Sequence, residues 1–520
     1  MTQVVDLFWD RFYLCVELDS ANGGVLLRNG STICEPVRFA DDSDNILRFN
    51  VANAGHRSLL GRGEWSFSTR EQGVAPAFSD DVLLKVESLS KPFFFSKFHQ
   101  AFIVRFQVRG EVFSPSVSLV VGYFKSDKNP ESKRSLVSLG KKGLAFSYRC
   151  LRLISPKKEN RVLFMSENND QMTGNLKAIH DRMVERSLDK EFDISLSFRN
   201  IFSKQTNLFS WFKTLSKIAR SKYIFIEDYS PIFAAINLDK KTELIQVWHA
   251  GFGFKAVGFG RFGIEGSPNP FASCHRKYTY ALVGNSNLRE IYSEVFGIEK
   301  EALLSTGMPR LDGFLDSGRI SDCRTAFYER HPSFESRRIV LFAPTYRGAD
   351  QLSAYYDYTK IDFRALYEMC KETDSAVIFK MHRFVRERVP IPDEFSDLIV
   401  DESSYPIESL YYSADVLVTD YSSCFYDYLL LNRPVVFYCY DEAYYEATRG
   451  VHRHVSEVAP GPVCHSFDEL ISVLNKDCVA PSKSNPMLID KHFEDAGYSA
   501  SDSVIDIVLL GKRDEDICLR

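Results

Sequence analysis

Two hydrophobic patterns divide the chain. Up to about residue 155 the apolar positions come in short, partly alternating runs, at 12–18, 24–28, 46–51, 63–67, 82–86, 102–108 and 117–121, punctuated by Gly, Asn, Asp and Pro. That spacing predicts the antiparallel strands of a sandwich-like domain. No cluster of His, Cys or carboxylates suggests chemistry there, and residues 1–155 read as an accessory or interaction module. Beyond the polar break Lys157-Lys-Glu-Asn-Arg161 the runs become continuous and alternate with helical periodicity. Strands are expected at 162–165, 192–196, 223–226 and 244–247, and a helix over 174–187 with Leu176, Ile179 and Met183 on one face. A hinge is expected over 315–331. A second series follows, with strands at 338–342, 376–379, 398–400 and 416–418 and helices at 363–372, 406–414 and 467–475. Two successive βαβ series predict an α/β fold: two Rossmann-like domains facing a cleft, at 160–318 and 319–520, preceded by the β-rich domain.

Composition narrows the class. A chain of 520 residues exceeds one core, and its 45% hydrophobic and 26% charged content is ordinary for a globular protein. A net charge of -5 argues against a nucleic-acid binder, so an anionic substrate must meet a local basic cluster. The 11 cysteines show neither a Cys-x-x-Cys pair nor zinc-site spacing, which reads as reduced thiols. With no signal-peptide pattern and no apolar run of the ~18–20 residues a membrane span needs, a cytoplasmic protein is expected. Residues 208–222, where aromatics mix with Lys213, Lys217, Arg220 and Lys222, fit either a peripheral membrane helix or a helix packed on its own sheet. The acidic run Asp514-Glu-Asp516 reads as a solvated terminus.

The candidate chemistry falls at strand ends, where ligands bind in open α/β sheets. Residues 414–440 read as strand, turn, helix and strand. Ser422 and Ser423 are placed to cap that helix and offer a phosphate site, with Asp427 one turn further in, within reach of a ribose hydroxyl. The alternative is one more βα unit with an ordinary cap. His249 follows an apolar strand inside a Gly-rich loop and suits a general base, since imidazole titrates near neutrality. A histidine satisfied by its own loop is the alternative. Arg310, in Thr306-Gly-Met-Pro-Arg-Leu-Asp312, offers a planar fork for phosphate oxygens or an ion pair with Asp312. Thr345 and Arg347 in Phe342-Ala-Pro-Thr-Tyr-Arg347, and Lys380 and His382 in Phe379-Lys-Met-His-Arg383, again follow apolar strands.

Together these segments resemble the CDP-glycerol glycerophosphotransferase family. Thr419-Asp-Tyr-Ser-Ser423, Phe425-Tyr-Asp427 and Arg433-Pro-Val-Val436 are similar to its signature. Trp248-His-Ala250 resembles its Trp-His-Gly motif, with Ala250 for the glycine, Phe252-Gly253 where many members have Thr-Pro, and Lys255 at the basic position. Arg310 lies in its Gly-x-Pro-Arg-x-Asp, Arg347 in its Ala-Pro-Thr-Trp-Arg, and His382 in its Lys-x-His-Pro with Arg383 replacing proline. The turn Ser166-Glu-Asn-Asn-Asp-Gln-Met-Thr-Gly174 resembles its first acceptor-domain loop, and Arg449-Gly450 and Pro460-Gly-Pro462 its ending, so the likeness covers about 160–475.

The resemblance implies a glycosyltransferase-B (GT-B) architecture and transfer of glycerol phosphate or ribitol phosphate from CDP-glycerol or CDP-ribitol. The acceptor would be a hydroxyl of a lipid-linked or saccharide molecule in teichoic acid or capsule-like polymer synthesis, and CMP would leave. It implies His249 as base, His382 as the second catalytic residue, and donor contacts from Arg310, Thr345, Arg347, Lys380, Asp420, Ser422, Ser423, Asp427 and Arg449, with Lys255 on the acceptor side. No metal and no further cofactor is implied. A glycosyltransferase using a nucleotide sugar is the alternative on the same architecture, and a non-catalytic binding protein a third reading, against which the intact His249 and His382 speak.

Overall fold

The computed structural model describes residues 2–512 apart from 22–23, 39–41, 56, 96–99, 111–114, 126–130, 200–207, 250–256, 265–266, 272, 315, 349–351, 452–453, 476–486, 490–492 and 494–498. Lys255 and the acidic run at 514–516 therefore lie outside the described residues.

The N-terminal part holds two sheets. One runs Ile46–Asn50, Tyr13–Leu18, Gln3–Asp10, Ala77–Phe78; the other runs Thr32–Cys34, Val25–Asn29, Gly63–Thr69, Ser116–Lys125, Gln100–Arg109, Lys91–Phe95. All pairs are antiparallel except Gln3–Asp10 with Ala77–Phe78. Alternation drives the layering: Trp65 and Phe67 are buried while Glu64 before them and Ser66 between them are exposed. Both sheets feed one core containing Leu14, Phe49, Trp65 and Phe102. The expected strand at 82–86 is instead the helix Asp80–Lys85. Ser79 Oγ accepts the Val82 N–H at 3.3 Å, and Asp80 and Asp81 sit in the first turn, which favours a helix start over a strand.

The helix Glu131–Ile154 was not foreseen, and it buries Tyr148 and Leu151 in the core of the next sheet rather than in the β-rich part. That sheet is parallel, in the order Asp193–Phe198, Lys158–Ser166, Ser221–Ile226, Glu243–Gln246, Tyr280–Leu282, Leu303–Leu304. A second parallel sheet runs Ile399–Asp401, Ser375–Phe379, Arg338–Phe342, Val416–Thr419, Val435–Tyr438, Val463–Cys464. Their strands are near-continuous Val, Ile, Leu and Phe because helices cover both faces.

Two expectations are corrected between and after these sheets, and of the two readings of residues 208–222 the one packed on its own sheet is seen. The hinge over 315–331 is mostly the helix Ser317–Arg330, started by Asp316 accepting the Arg319 N–H at 3.0 Å. The helix Leu208–Arg220 turns Leu215, Ile218 and Ala219 inward, with Arg199 stacked on Trp211. The chain end does not stay with the second sheet. Ala500–Val504 and the turn after it return to the first, packing Val504, Ile505 and Val508 with Leu176, Ile179 and Met183. Asp502 then pairs with Arg182 and Arg186 at 2.7 and 2.8 Å.

The β-rich part is locked to the first α/β half. Phe262 is buried in the N-terminal core, stacked on Phe93 at 5.5 Å. Glu294, also buried, takes Arg11 at 2.7 Å and the Tyr13 hydroxyl at 2.8 Å, and Arg57 pairs with Glu299 at 2.7 Å.

Candidate functional site

Strand order reverses between Lys158–Ser166 and Ser221–Ile226 in the first sheet, and between Arg338–Phe342 and Val416–Thr419 in the second. At each reversal the loops leave the strand ends in opposite directions and open a crevice. The first crevice is edged by Glu227 and Asp228, the second by Thr345, Arg347 and residues 420–423. His249 and His382 follow the neighbouring strands Glu243–Gln246 and Ser375–Phe379.

His249 is presented by a strained turn. Trp248 before it has φ +47, a conformation that costs a bulky L-residue about 1–2 kcal/mol. The surroundings hold it there: its N–H donates to Gln246 Oε1 at 2.9 Å, and Asn175 Nδ2 donates to the carbonyls of Val247, at 3.0 Å, and Trp248. The His249 ring is 47% exposed, with Nδ1 3.3 Å from Asp228 Oδ1. Asp228 thereby favours the tautomer with its proton on Nδ1, leaving Nε2 to accept one. Desolvation lowers the pKa of His249, Asp228 opposes that, and the Arg383 and Arg310 charges push it further down. A depressed imidazole is unprotonated near neutrality, as a base must be.

Arg310 joins the two halves. Its backbone N–H donates to Asn175 Oδ1 at 2.9 Å, and Nη2 donates to His249 O at 3.2 Å and to Asp427 Oδ1 at 3.0 Å. Nη1 is buried with no partner among the described residues, a donor that an anion in the crevice would satisfy. The alternative pair with Asp312 is not formed. Asp312 instead accepts the Ser499 hydroxyl at 2.9 Å and the N–H groups of Ala500 and Ser501 at 2.8 and 3.0 Å, fixing the returning C-terminal helix. Asp427 is buried against Arg310 rather than open to a ribose; burial pushes its pKa up to about 7 while Arg310 opposes the rise.

Arg347 is not placed as a phosphate ligand. It is 3% exposed, and every guanidinium nitrogen is occupied: Nη1 by Asp420 at 2.7 Å, Nε and Nη2 by Asp441 at 2.7 and 2.8 Å. Tyr356, Tyr421, Tyr440 and Tyr445 surround it at 5.2–5.6 Å. Asp420 also accepts the Thr345 N–H at 2.7 Å, so Thr345, Arg347 and Asp420 form one internal network beneath the crevice.

The other candidates differ in how they meet the crevice. His382 Nδ1 accepts the Phe384 N–H at 3.2 Å, and its ring lies 4.7 Å from that of Tyr346, over which Arg449 stacks while donating to the tyrosine oxygen at 2.7 Å. Lys380 is turned away, donating to Ser403 O at 2.6 Å. Ser422 Oγ accepts the Cys424 N–H at 3.4 Å, whereas Ser423 makes no side-chain cap to the short helix Cys424–Leu429. A cavity of about 450 Å³ between the halves is lined by Tyr229, Trp248, Arg261 and His275 on one side and Tyr445 and Arg449 on the other.

Sequence reasoning missed Asn175, Glu227 and Asp228. Asn175 binds the His249 turn, Arg310 and, through its own N–H at 2.9 Å, Glu227. Gly174 has φ +58, and a Cβ there would lie 2.3 Å from Glu227 Oε1, so the glycine is required by the acid behind it. The signal was an acidic pair directly after an apolar strand at a reversal point.

This arrangement fits a family of nucleotide-dependent transferases, and the chain belongs to one: the CDP-glycerol:poly(glycerophosphate) glycerophosphotransferase family, whose model matches residues 147–509. Among similar proteins, the teichoic acid poly(ribitol-phosphate) polymerase of Bacillus spizizenii is 33% identical over 396 residues, 75% of this chain and 62% of that one. The teichoic acid ribitol-phosphate polymerase TarL of Staphylococcus aureus is 34% identical over 339 residues, 65% of this chain and 60% of that one. The chain thus spans about 60% of the length of these relatives. Its fold is similar to that of the wall teichoic acid polymerase TagF, with a TM-score of 0.58 at 20% identity over 73% of this chain and 97% of the other.

Proposed function

We propose that the chain transfers a polyol phosphate from a CDP-activated polyol to a hydroxyl of a lipid-linked acceptor, releasing CMP, on a GT-B scaffold whose two Rossmann-like lobes face the crevice and whose N-terminal sheets form a sandwich. The observation that carries this is the meeting of Asp228-backed His249 with the unpartnered Nη1 of Arg310 between the two reversal points. In this reading the acceptor oxygen attacks the phosphorus bearing the polyol as Nε2 of His249 takes its proton. The bond from that phosphorus to the oxygen of CMP breaks, and CMP leaves. Positioning and charge neutralisation supply most of the catalysis, with Arg310 and His382 at the diphosphate. Thr345, Arg347 and Asp420 hold the donor-side wall in place rather than touching the donor.

Ribitol is the favoured polyol. Three relatives named as ribitol-phosphate polymerases match at 32–34% identity, whereas those named for glycerol phosphate match at 26–29% and a ribitol-phosphate primase at 26%. A lipid-linked acceptor calls for a peripheral approach to the membrane, and no described helix is long and apolar enough to cross one. The stripe Lys142, Phe146, Arg149 and Leu153 faces outward on the helix Glu131–Ile154, with Phe146 69% and Leu153 85% exposed, and suits that contact better than the helix Leu208–Arg220.

The test is product analysis with labelled CDP-ribitol and CDP-glycerol, with and without a lipid-linked acceptor. CMP together with a new phosphodiester, from CDP-ribitol ahead of CDP-glycerol, is expected. A nucleoside diphosphate with a glycoside from nucleotide sugars, or no turnover of either CDP-polyol, would overturn the proposal.

A further inference from the structure

Arg383 stands where the related motif carries proline, and its side chain crosses between the halves. Nη1 donates to Asn169 Oδ1 at 2.9 Å, and Nη2 reaches Asp228 Oδ1 at 3.4 Å. That same carboxylate oxygen lies 3.3 Å from His249 Nδ1. One oxygen is therefore shared between a permanent cation and a titratable ring. The other, Oδ2, is buried with no hydrogen-bond partner among the described residues.

We propose that Arg383 is a positioning residue that keeps His249 unprotonated, by occupying Asp228 so that the carboxylate orients the imidazole without trapping a proton on it. An Asp–His pair alone would raise the histidine, because the ion pair exists only when the ring is charged. The groups facing His249 are Asp228 and the backbone carbonyl of Glu227 from the loop after Ser221–Ile226, Arg310 from the turn after Leu303–Leu304, and Arg383 from the loop after Ser375–Phe379. Glu227 is pushed up to about 8 by burial and by Asp228, so it is mostly neutral near pH 7. One anion then faces two cations, and desolvation of the ring acts in the same direction. Because Arg383 belongs to one half and Asn169, Asp228 and His249 to the other, the effect exists only with the halves together. Basicity and closure are thereby linked.

The meaning for turnover rests on the proposed transfer reaction, but the titration itself does not. In the full chain with 15N-labelled histidine, the His249 signal is assigned by its loss in His249→Gln and followed with pH. Arg383→Gln is expected to raise the His249 midpoint by about half to one pH unit. Arg383→Lys, which keeps the charge, is expected to stay near the wild type. Asn169→Ala, which frees the guanidinium from its anchor, is expected to give a smaller rise. The Arg383 side chain is 44% exposed, so these variants should melt close to the wild type. An unchanged midpoint in both Arg383→Gln and Asn169→Ala overturns the proposal, as does Arg383→Lys moving as far as Arg383→Gln. In the active protein the acid limb of kcat/KM should move with the midpoint. A wild type that releases no CMP while its His249 titrates as expected would count against the transfer reaction alone.

Discussion

Around Arg347 the charges are closed on themselves, and around Arg310 they are not. Arg347 has two carboxylates for its three nitrogens, an aromatic surround and almost no exposure. Arg310 has one carboxylate, one carbonyl and a buried nitrogen left over. Both follow apolar strands in motifs of similar look, so residue type and position leave their roles undistinguished. The partners do distinguish them: a guanidinium with every N–H satisfied holds a wall, and one with a buried N–H to spare is suited to an incoming anion.

The largest effect that bears on this division is expected at His249, on the open side. His249→Ala should lower turnover by roughly 10²–10⁴ with donor affinity little changed. The half-exposed ring makes few contacts that hold the fold, so the melting temperature should stay near that of the wild type. Measuring turnover, donor affinity and melting together checks this, and a normally melting variant with near-native turnover would take His249 out of the chemistry. On the closed side the expected loss is of folding. Arg347→Met leaves the buried Asp420 and the half-buried Asp441 without their cation, a change that typically costs about 3–5 kcal/mol. Denaturant midpoints should fall accordingly, while activity per folded molecule at low temperature is retained. A variant that folds as well as the wild type and loses donor binding would place Arg347 at the phosphates after all.

Arg310→Gln should fall between. Losing one charge-assisted contact to a donor phosphate is worth about 1.5–3 kcal/mol, or roughly tenfold to a hundredfold in kcat/KM. Asp427 loses its partner, but its pKa already stands at about 7, so it can take a proton instead of remaining a buried charge. The stability loss should therefore be smaller than for Arg347→Met. Equal losses in the two variants would erase the contrast between open and closed networks.

How much of this was legible follows from the physics of each element. The longer parallel strands could be read because burial on both faces leaves uninterrupted apolar runs, as in Val416–Thr419, whereas the short strands Tyr280–Leu282, Leu303–Leu304 and Val463–Cys464 could not. His249 and His382 could be read because they sit just after strands of the longer kind, and Arg310 because of the motif around it. The helix Glu131–Ile154 could not, since Gly140 and Gly143 interrupt its apolar stripe and its inward face touches a sheet that follows it in sequence. Nor could the return of Ala500–Val504, which depends on Asp312, Arg182 and Arg186, residues distant in sequence. Asp228 and Glu227 resemble any polar turn until the fold shows that both are buried and beside the histidine.

The smallest expected effect tests whether the open side carries a buried like-charge pair. Glu227 is raised from its ordinary 4.5 to about 8, chiefly by burial and next by Asp228, with the Asn175 N–H and the Arg310 and Arg383 charges opposing. The folded state therefore keeps a proton that the unfolded chain releases between about pH 4.5 and pH 8. The stability this contributes is fully present below the unfolded value and is lost as pH rises through the folded one. Glu227→Gln never ionises, and its amide oxygen can still accept the Asn175 N–H. Whatever offset the substitution brings at pH 5, the melting temperature of Glu227→Gln relative to the wild type should rise toward pH 8.5, by roughly one to three degrees. The closed side supplies the control: Arg347→Met leaves two carboxylates without their cation, so its deficit should not shrink as pH rises across that interval. A pH-independent difference for Glu227→Gln would mean that Glu227 is ionised beside Asp228 in the folded protein. The open side would then carry two adjacent anions instead of one.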